Sequence, residues 1–128
     1  MLEVEVIGTP AGAPPGAEIE RLAQIALASA EIEDGHVAIA FVPATEIAAL
    51  NSAHRGKEGP TDVLSFPIDA DEAPIGPREL GDVVICPEYT DDLREAVIHG
   101  VLHLTGMDHE TDDGEMLALQ RELLAWER

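Results

Sequence analysis

The chain has 128 residues, 26 of them acidic against seven Lys and Arg, for a formal net charge of −19. A chain of this size suits one domain with an ordinary core, and 45% hydrophobic but 3% aromatic content makes Ala, Val, Ile and Leu its main material. The charge works against long-range capture of nucleic acid, DNA above all, and no apolar run approaches the ~20 residues that span a bilayer.

The N-terminus lacks the basic and apolar regions of a secretory signal. Leu2 to Ile7 alternates as a strand with one solvated face, and the Gly/Pro-rich Gly8 to Gly16 is a loop. Ala17 to Ala30 carries Ile19, Leu22, Ile25 and Ala26 at helical spacing. A second strand is expected over His36 to Val42, and a second helix over Thr45 to Ala53. The polar stretch His54 to Thr61 then holds His54, Arg55 and Lys57, the only visible basic patch in the chain. Asp62 to Pro67 reads as a third strand, Ile68 to Glu79 as an acidic loop and Gly81 to Cys86 as a fourth strand. Cys86 is the single cysteine, which excludes an internal disulfide and fits a reducing cytoplasm. Thr90 is a candidate cap for a helix running to about Thr105, apolar all round from Ala96 to Leu104 except for two histidines. Thr111 can cap a last helix whose apolar side is Met116, Leu117, Leu119, Leu123 and Leu124.

No repeat or long linker divides the chain, so residues 1–128 read as one domain. The order β, α, β, α, β, β, α, α predicts an α+β fold: a small four-stranded mixed sheet packed with helices, with a buried central helix carrying the histidines. The acidic excess reads most simply as a solvated surface suited to a salty or crowded cytoplasm, with a specific basic partner as the alternative.

Three of the five histidines fall in His99-Gly-Val-Leu-His103-Leu-Thr-Gly106-Met-Asp-His109. An i, i+4 pair shares one helix face, so His99 and His103 point the same way. Gly106 suits the left-handed residue that ends a helix, and the chain can then double back to bring His109 alongside. Three converging imidazoles with a fourth position open is the pattern of a catalytic zinc site, and Asp108 is a candidate hydrogen-bond partner for a ligand or a cap for the turn. The spacing is that of the metzincin proteases, but Gly100 stands where their general-base glutamate would be, which argues against peptide hydrolysis by that route. A closed structural zinc would need a fourth protein ligand, for which Cys86 is the obvious thiolate.

The wording His99-Gly-Val-Leu-His-Leu-Thr-Gly-Met-Asp-His-Glu110 closely resembles the signature of the YbeY family of metal-dependent endoribonucleases. Leu50-Asn51, Arg55-Gly-Lys57 and Pro60 to Pro67 resemble that family's second block, and Gly81 to Ile85 a third. The resemblance implies a zinc-dependent, single-strand-specific endoribonuclease that matures the 3′ end of small-subunit (16S) ribosomal RNA and serves ribosome quality control. It implies one zinc ion on His99, His103 and His109, with Arg55 as the important cation of the cleft. Small-subunit ribosomes and their assembly proteins are the implied partners.

Chemistry supports such an assignment independently. A metal and a guanidinium both stabilise the oxyanion-rich transition state of phosphodiester cleavage, and zinc brings water towards a pKa of ~7. Arginine offers a fork matching two phosphate oxygens, and Lys57 can add a phosphate contact. Taken alone, Arg55 would read as an exposed loop cation in a surface ion pair. A ribose 2′-hydroxyl could replace water as nucleophile. A peptidase-like zinc hydrolase lacking the glutamate, and a non-catalytic assembly factor with structural zinc, are the competing functions. Only twelve residues separate Cys86 from His99, fewer than the family resemblance implies and too few for a separate helix and loop.

Overall fold

The computed structural model describes residues 2–67, 79–108 and 111–127. Chain order is β1 (Leu2–Ile7), α1 (Gly16–Ser29), β2 (Gly35–Phe41), α2 (Ala44–Arg55), β3 (Val63–Pro67), β4 (Glu79–Ile85), α3 (Leu93–Leu104) and α4 (Glu115–Glu127). Of the expected acidic loop Ile68 to Glu79, all but Glu79 lies outside the described residues. The strands form one sheet in the order β1-β2-β4-β3. The first two pairings are parallel and β3 runs antiparallel to β4, so the sheet is mixed as expected.

Strand alternation sorts the core into two clusters. Val37, Ile39, Val83 and Ile85 join α1, α3 and α4 on one side. Leu64, Val84 and Cys86 meet Ile47 of α2 on the other. The two sets interleave along β4 because successive side chains point to opposite faces. α3 is the central helix: Ala96, Val97, Ile98, Gly100, Val101 and Leu102 are all buried. Truncating a fully buried side chain such as Leu102 costs about 2–5 kcal/mol.

Arg94 at the start of α3 reaches α1, where Nε and Nη2 donate to the two carboxylate oxygens of Glu18 at 2.9 and 3.1 Å. The fork's hydrogen bonds hold the Glu18 carboxyl below its ordinary value.

Several boundaries differ from expectation for local reasons. α2 continues to Arg55, and Gly56 in the left-handed region (φ 66°) closes it by donating to Ser52 O. α3 is capped by Asp92, not Thr90: the Asp92 carboxylate accepts from the backbone N–H groups of Arg94 and Glu95. Thr90 Oγ1 instead donates to Cys86 O at 2.7 Å, closing the one-turn 3₁₀ helix Pro87–Tyr89. The short connection from Cys86 to His99 therefore does accommodate a separate turn of helix. Thr111 does not cap α4 either, because Asp112 accepts from Gly114 N and Met116 N at 2.9 Å each. Met116, Leu123 and Leu124 are buried as expected, whereas Leu117 is 43% exposed.

Candidate metal centre and its cleft

The packing of α3 fixes where its histidines point. Gly100 is the closest approach of the helix to the sheet: a Cβ there would overlap Val83 Cγ1 and come within 3.2 Å of Val63 Cγ2. Ser65 of β3 donates its hydroxyl to Gly100 O at 2.7 Å, tying strand to helix at the same point. A residue one position before Gly100, or three after it, is rotated off this contact, so His99 and His103 are half-buried at its edge.

Their rings are tightly specified. α3 ends in a Schellman turn: Gly106 (φ 101°) donates to His103 O at 3.1 Å and Met107 N to Leu102 O at 3.3 Å. The turn delivers Met107 O to His103, whose Nδ1–H donates to it at 3.0 Å. A carbonyl cannot donate, so the His103 proton sits on Nδ1. His99 Nδ1–H donates to Gln120 Oε1 of α4 at 2.8 Å. With Nδ1 of each ring engaged by these oxygens, the two Nε2 atoms are the nitrogens turned towards each other, 3.2 Å apart. Two nitrogens held ~2.0–2.1 Å from one tetrahedral zinc ion are separated by about 3.3 Å, so the donors and their spacing fit a shared ion. Each ring donates its other N–H to an oxygen, the arrangement that fixes the tautomer of metal-binding histidines.

His109, the third expected ligand, lies outside the described residues, and among the described residues no group of three metal-binding side chains assembles. Asp108 lines the cleft beside His99 and His103, and its carbonyl accepts from Thr111 N and Asp112 N at 3.2 and 3.1 Å, stabilising the turn.

The cleft in front of the two histidines has a volume of about 870 Å³. Arg55 and Lys57 line it from the end of α2 and the turn after it, and both are exposed. Arg55 is thus carried by the last helical turn and not by a loop, next to His54. Asn51 fastens this region by donating from Nδ2 to Gly59 O at 2.9 Å. Asp62 also lines the cleft. Its carboxylate accepts from Thr61 Oγ1 and Val63 N, so it shapes the entry to β3.

Cys86 does not join this site. It is fully buried on the α2 side of the sheet, packed with Ile47, Leu64 and Val84, while α3 covers the opposite side. Alternation along β4 decides this, and it removes the thiolate that a closed structural zinc would require. Gly100 equally removes the helix-borne base, since its position faces β4 and has no room for a side chain.

Gln120 is the functional-site residue that sequence reasoning missed. It is 6% exposed, on the α4 face that buries Met116 and Leu123. An amide one turn after Met116 on an apolar face was the available signal.

A sequence model described as Endoribonuclease YbeY matches residues 15–126. A relative named Endoribonuclease YbeY from Pseudomonas entomophila is 40% identical over 140 residues, covering 98% of this chain and 88% of its own. Another of that name from Beutenbergia cavernae is 38% identical over 128 residues, covering 84% and 85%. The solution structure of a Thermotoga maritima protein superposes with a TM-score of 0.53 at 29% identity, covering 94% of this chain and 85% of that one. With this fold, the paired histidines on α3 and the match over almost its whole length, the chain belongs to the YbeY family of endoribonucleases.

Proposed function

We propose that this protein is a zinc-dependent, single-strand-specific endoribonuclease that matures the 3′ end of 16S ribosomal RNA and takes part in ribosome quality control. It acts in the cytoplasm on small-subunit ribosomes, with their assembly proteins as partners. The relatives' endoribonuclease names support the reaction class. The observation that carries the reading is the His99–His103 pair, with Nε2 atoms 3.2 Å apart and each Nδ1–H donating to a neighbouring oxygen, in a cleft shared with Arg55.

His99 and His103, with His109 as the expected third ligand, would hold the ion. Bound there, zinc supplies Lewis acidity to the phosphodiester and acidifies a water molecule. The chain's own contributions are positioning and charge. Gln120 and Met107 O keep the imidazoles in the tautomer that presents Nε2 to the cleft. Arg55 takes two phosphate oxygens in its fork and stabilises the charge that develops on them. Lys57, two residues further and in the same cleft, provides a second phosphate contact.

Purified protein with stoichiometric zinc should cleave single-stranded RNA. Cleavage that survives both His103→Ala and Arg55→Ala, in samples prepared identically, would overturn the assignment. A substrate lacking the 2′-hydroxyl at the scissile nucleotide separates attack by water, which persists, from attack by the strand's own hydroxyl, which stops.

A further inference from the structure

The net charge of −19 raises a question that the metal site does not answer, namely what holds an RNA strand to so acidic a surface. Among its described residues the cleft is formally neutral, with Arg55 and Lys57 set against Asp62 and Asp108. Two cations supply two phosphate contacts, too few for the electrostatic binding on which most nucleic-acid proteins rely. Beyond these cations and the proposed metal ion, affinity then calls for contacts that are not Coulombic. The cleft contains one such device. Phe66 of β3 and His54 of α2 both line it, with ring centroids 4.8 Å apart and planes at 68°. The chain has only two Phe, one Tyr and one Trp, and Phe66 is the one aromatic of these in the cleft. His54 is exposed, and it immediately precedes Arg55. Phe66 is half-buried, with part of its ring against the Ile47 and Leu64 cluster.

We propose that the His54–Phe66 ring pair is a nucleobase-stacking subsite, which seats one unpaired base of the strand whose phosphate Arg55 binds. The proposal rests on the endoribonuclease reading and deepens it. Two rings at a steep angle form a corner, so a flat base lying on one ring abuts the other and is held in plane and in direction. Only an unpaired, unstacked base can offer its face to such a corner, so strand selectivity follows from the site's shape. Every base has such a face, which makes the contact tolerant of sequence. The ring, the guanidinium and the ammonium come from one short stretch, His54, Arg55 and Lys57, and all three line the cleft.

The test is equilibrium binding of a short single-stranded RNA carrying the fluorescent base 2-aminopurine at each position in turn. His54→Ala removes an exposed ring and leaves the core intact. Phe66→Leu removes the second ring and keeps apolar contact with Ile47 and Leu64. Each should weaken binding by about five- to a hundred-fold, the range for loss of one base–aromatic stack. The loss should leave the slope of log affinity against log salt unchanged, near −1.4 for two phosphate contacts on a single strand. One position of the probe should show stacking-induced quenching in the parent chain that both variants lose, and an abasic nucleotide there should bring parent and variants to equal affinity. Variants that bind as tightly as the parent, or that change the salt slope instead, would overturn the subsite while leaving the nuclease reading in place. A parent chain that neither binds nor cleaves single-stranded RNA would overturn both.

Discussion

Replacing Gly100 by alanine tests how closely α3 sits on the sheet. In an unobstructed helix the change stabilises by about 1 kcal/mol, because alanine has the better helix propensity. Here the new Cβ would overlap Val83 Cγ1 and lie 3.2 and 3.3 Å from Val63 Cγ2 and Val83 Cγ2. Val83 is fully buried and β-branched, so it cannot rotate away cheaply. Overpacking of this kind costs about 1–3 kcal/mol. The upper half of that range, less the propensity gain, predicts a net loss of about 1–2 kcal/mol, or about 4–8 °C in melting temperature for a domain of this size. Urea denaturation of Gly100→Ala, Val83→Ala and the double variant supplies the measurement. Val83→Ala alone should destabilise, since it removes buried apolar surface. In the double variant, the space vacated by valine accepts the new methyl group. The two changes should therefore be less than additive, by at least about 1 kcal/mol. Gly100→Ala at or above parental stability, or strict additivity with Val83→Ala, would refute the proposed contact.

Other outcomes follow from single contacts. Gln120→Leu removes the acceptor of His99 Nδ1–H and should weaken zinc binding by about 10–100-fold in chelator competition, with Gln120→Glu retaining parental affinity or better. Equal affinity in the leucine variant would show that Gln120 does not orient His99. His36 is raised above its ordinary 6.5, first by its hydrogen bond to Glu79 and further by Glu5, in a bridge across three strands. Its contribution to stability is therefore complete below pH 6.5, while the carboxylates stay ionised, and is lost as pH rises through the raised value. Because the carboxylates are more than half exposed, the stability gap between the parent chain and His36→Gln should be under ~1 kcal/mol at pH 6 and close by pH 8.5. A gap that widens with pH would contradict the bridge. Glu31 is the one described non-glycine residue at positive φ (61°), just past the end of α1. Glu31→Gly should raise stability by about 0.5–1 kcal/mol in thermal unfolding, strain relief outweighing the added freedom of the unfolded chain. A destabilised variant would count against that strain.

The parts of this structure that were legible in the sequence are those set by periodicity. Spacing of four placed His99 and His103 on one helix face, and an unbroken apolar run around them marked α3 as the buried helix. Alternation in Leu2 to Ile7 and a hydrophobic run after Gly81 gave the strands. Competition between neighbouring groups was harder to read. Thr90 and Asp92 both suit a helix start, and only the 3₁₀ turn at Pro87–Tyr89, which takes the Thr90 hydroxyl, leaves the role to Asp92. Thr111 and Asp112 presented the same choice. Polarity alone places Arg55 in a loop with His54 and Lys57. Gly56, however, is a left-handed terminator, and the helix runs up to it. Gln120 went unnoticed because its partner is 21 positions away on another helix, beyond the reach of any local pattern.

The histidine spacing and the glycine between its first two members answer different demands of one helix. The edge of α3 that meets the sheet must be small, because Val63 and Val83 occupy the space that a side chain at 100 would need. The edge beside it must present two imidazoles to the cleft, and each needs an oxygen for its second nitrogen. A glutamate at position 100 would drive its side chain into Val63 and the fully buried Val83, where taking a carboxylate out of water is costly. The spacing therefore can be shared with the zinc proteases while the helix-borne base cannot. The cationic groups of the cleft come instead from another element: the end of α2 carries Arg55 and the turn after it Lys57. A guanidinium placed there suits a phosphodiester, whose two non-bridging oxygens match its fork, far better than it suits an amide.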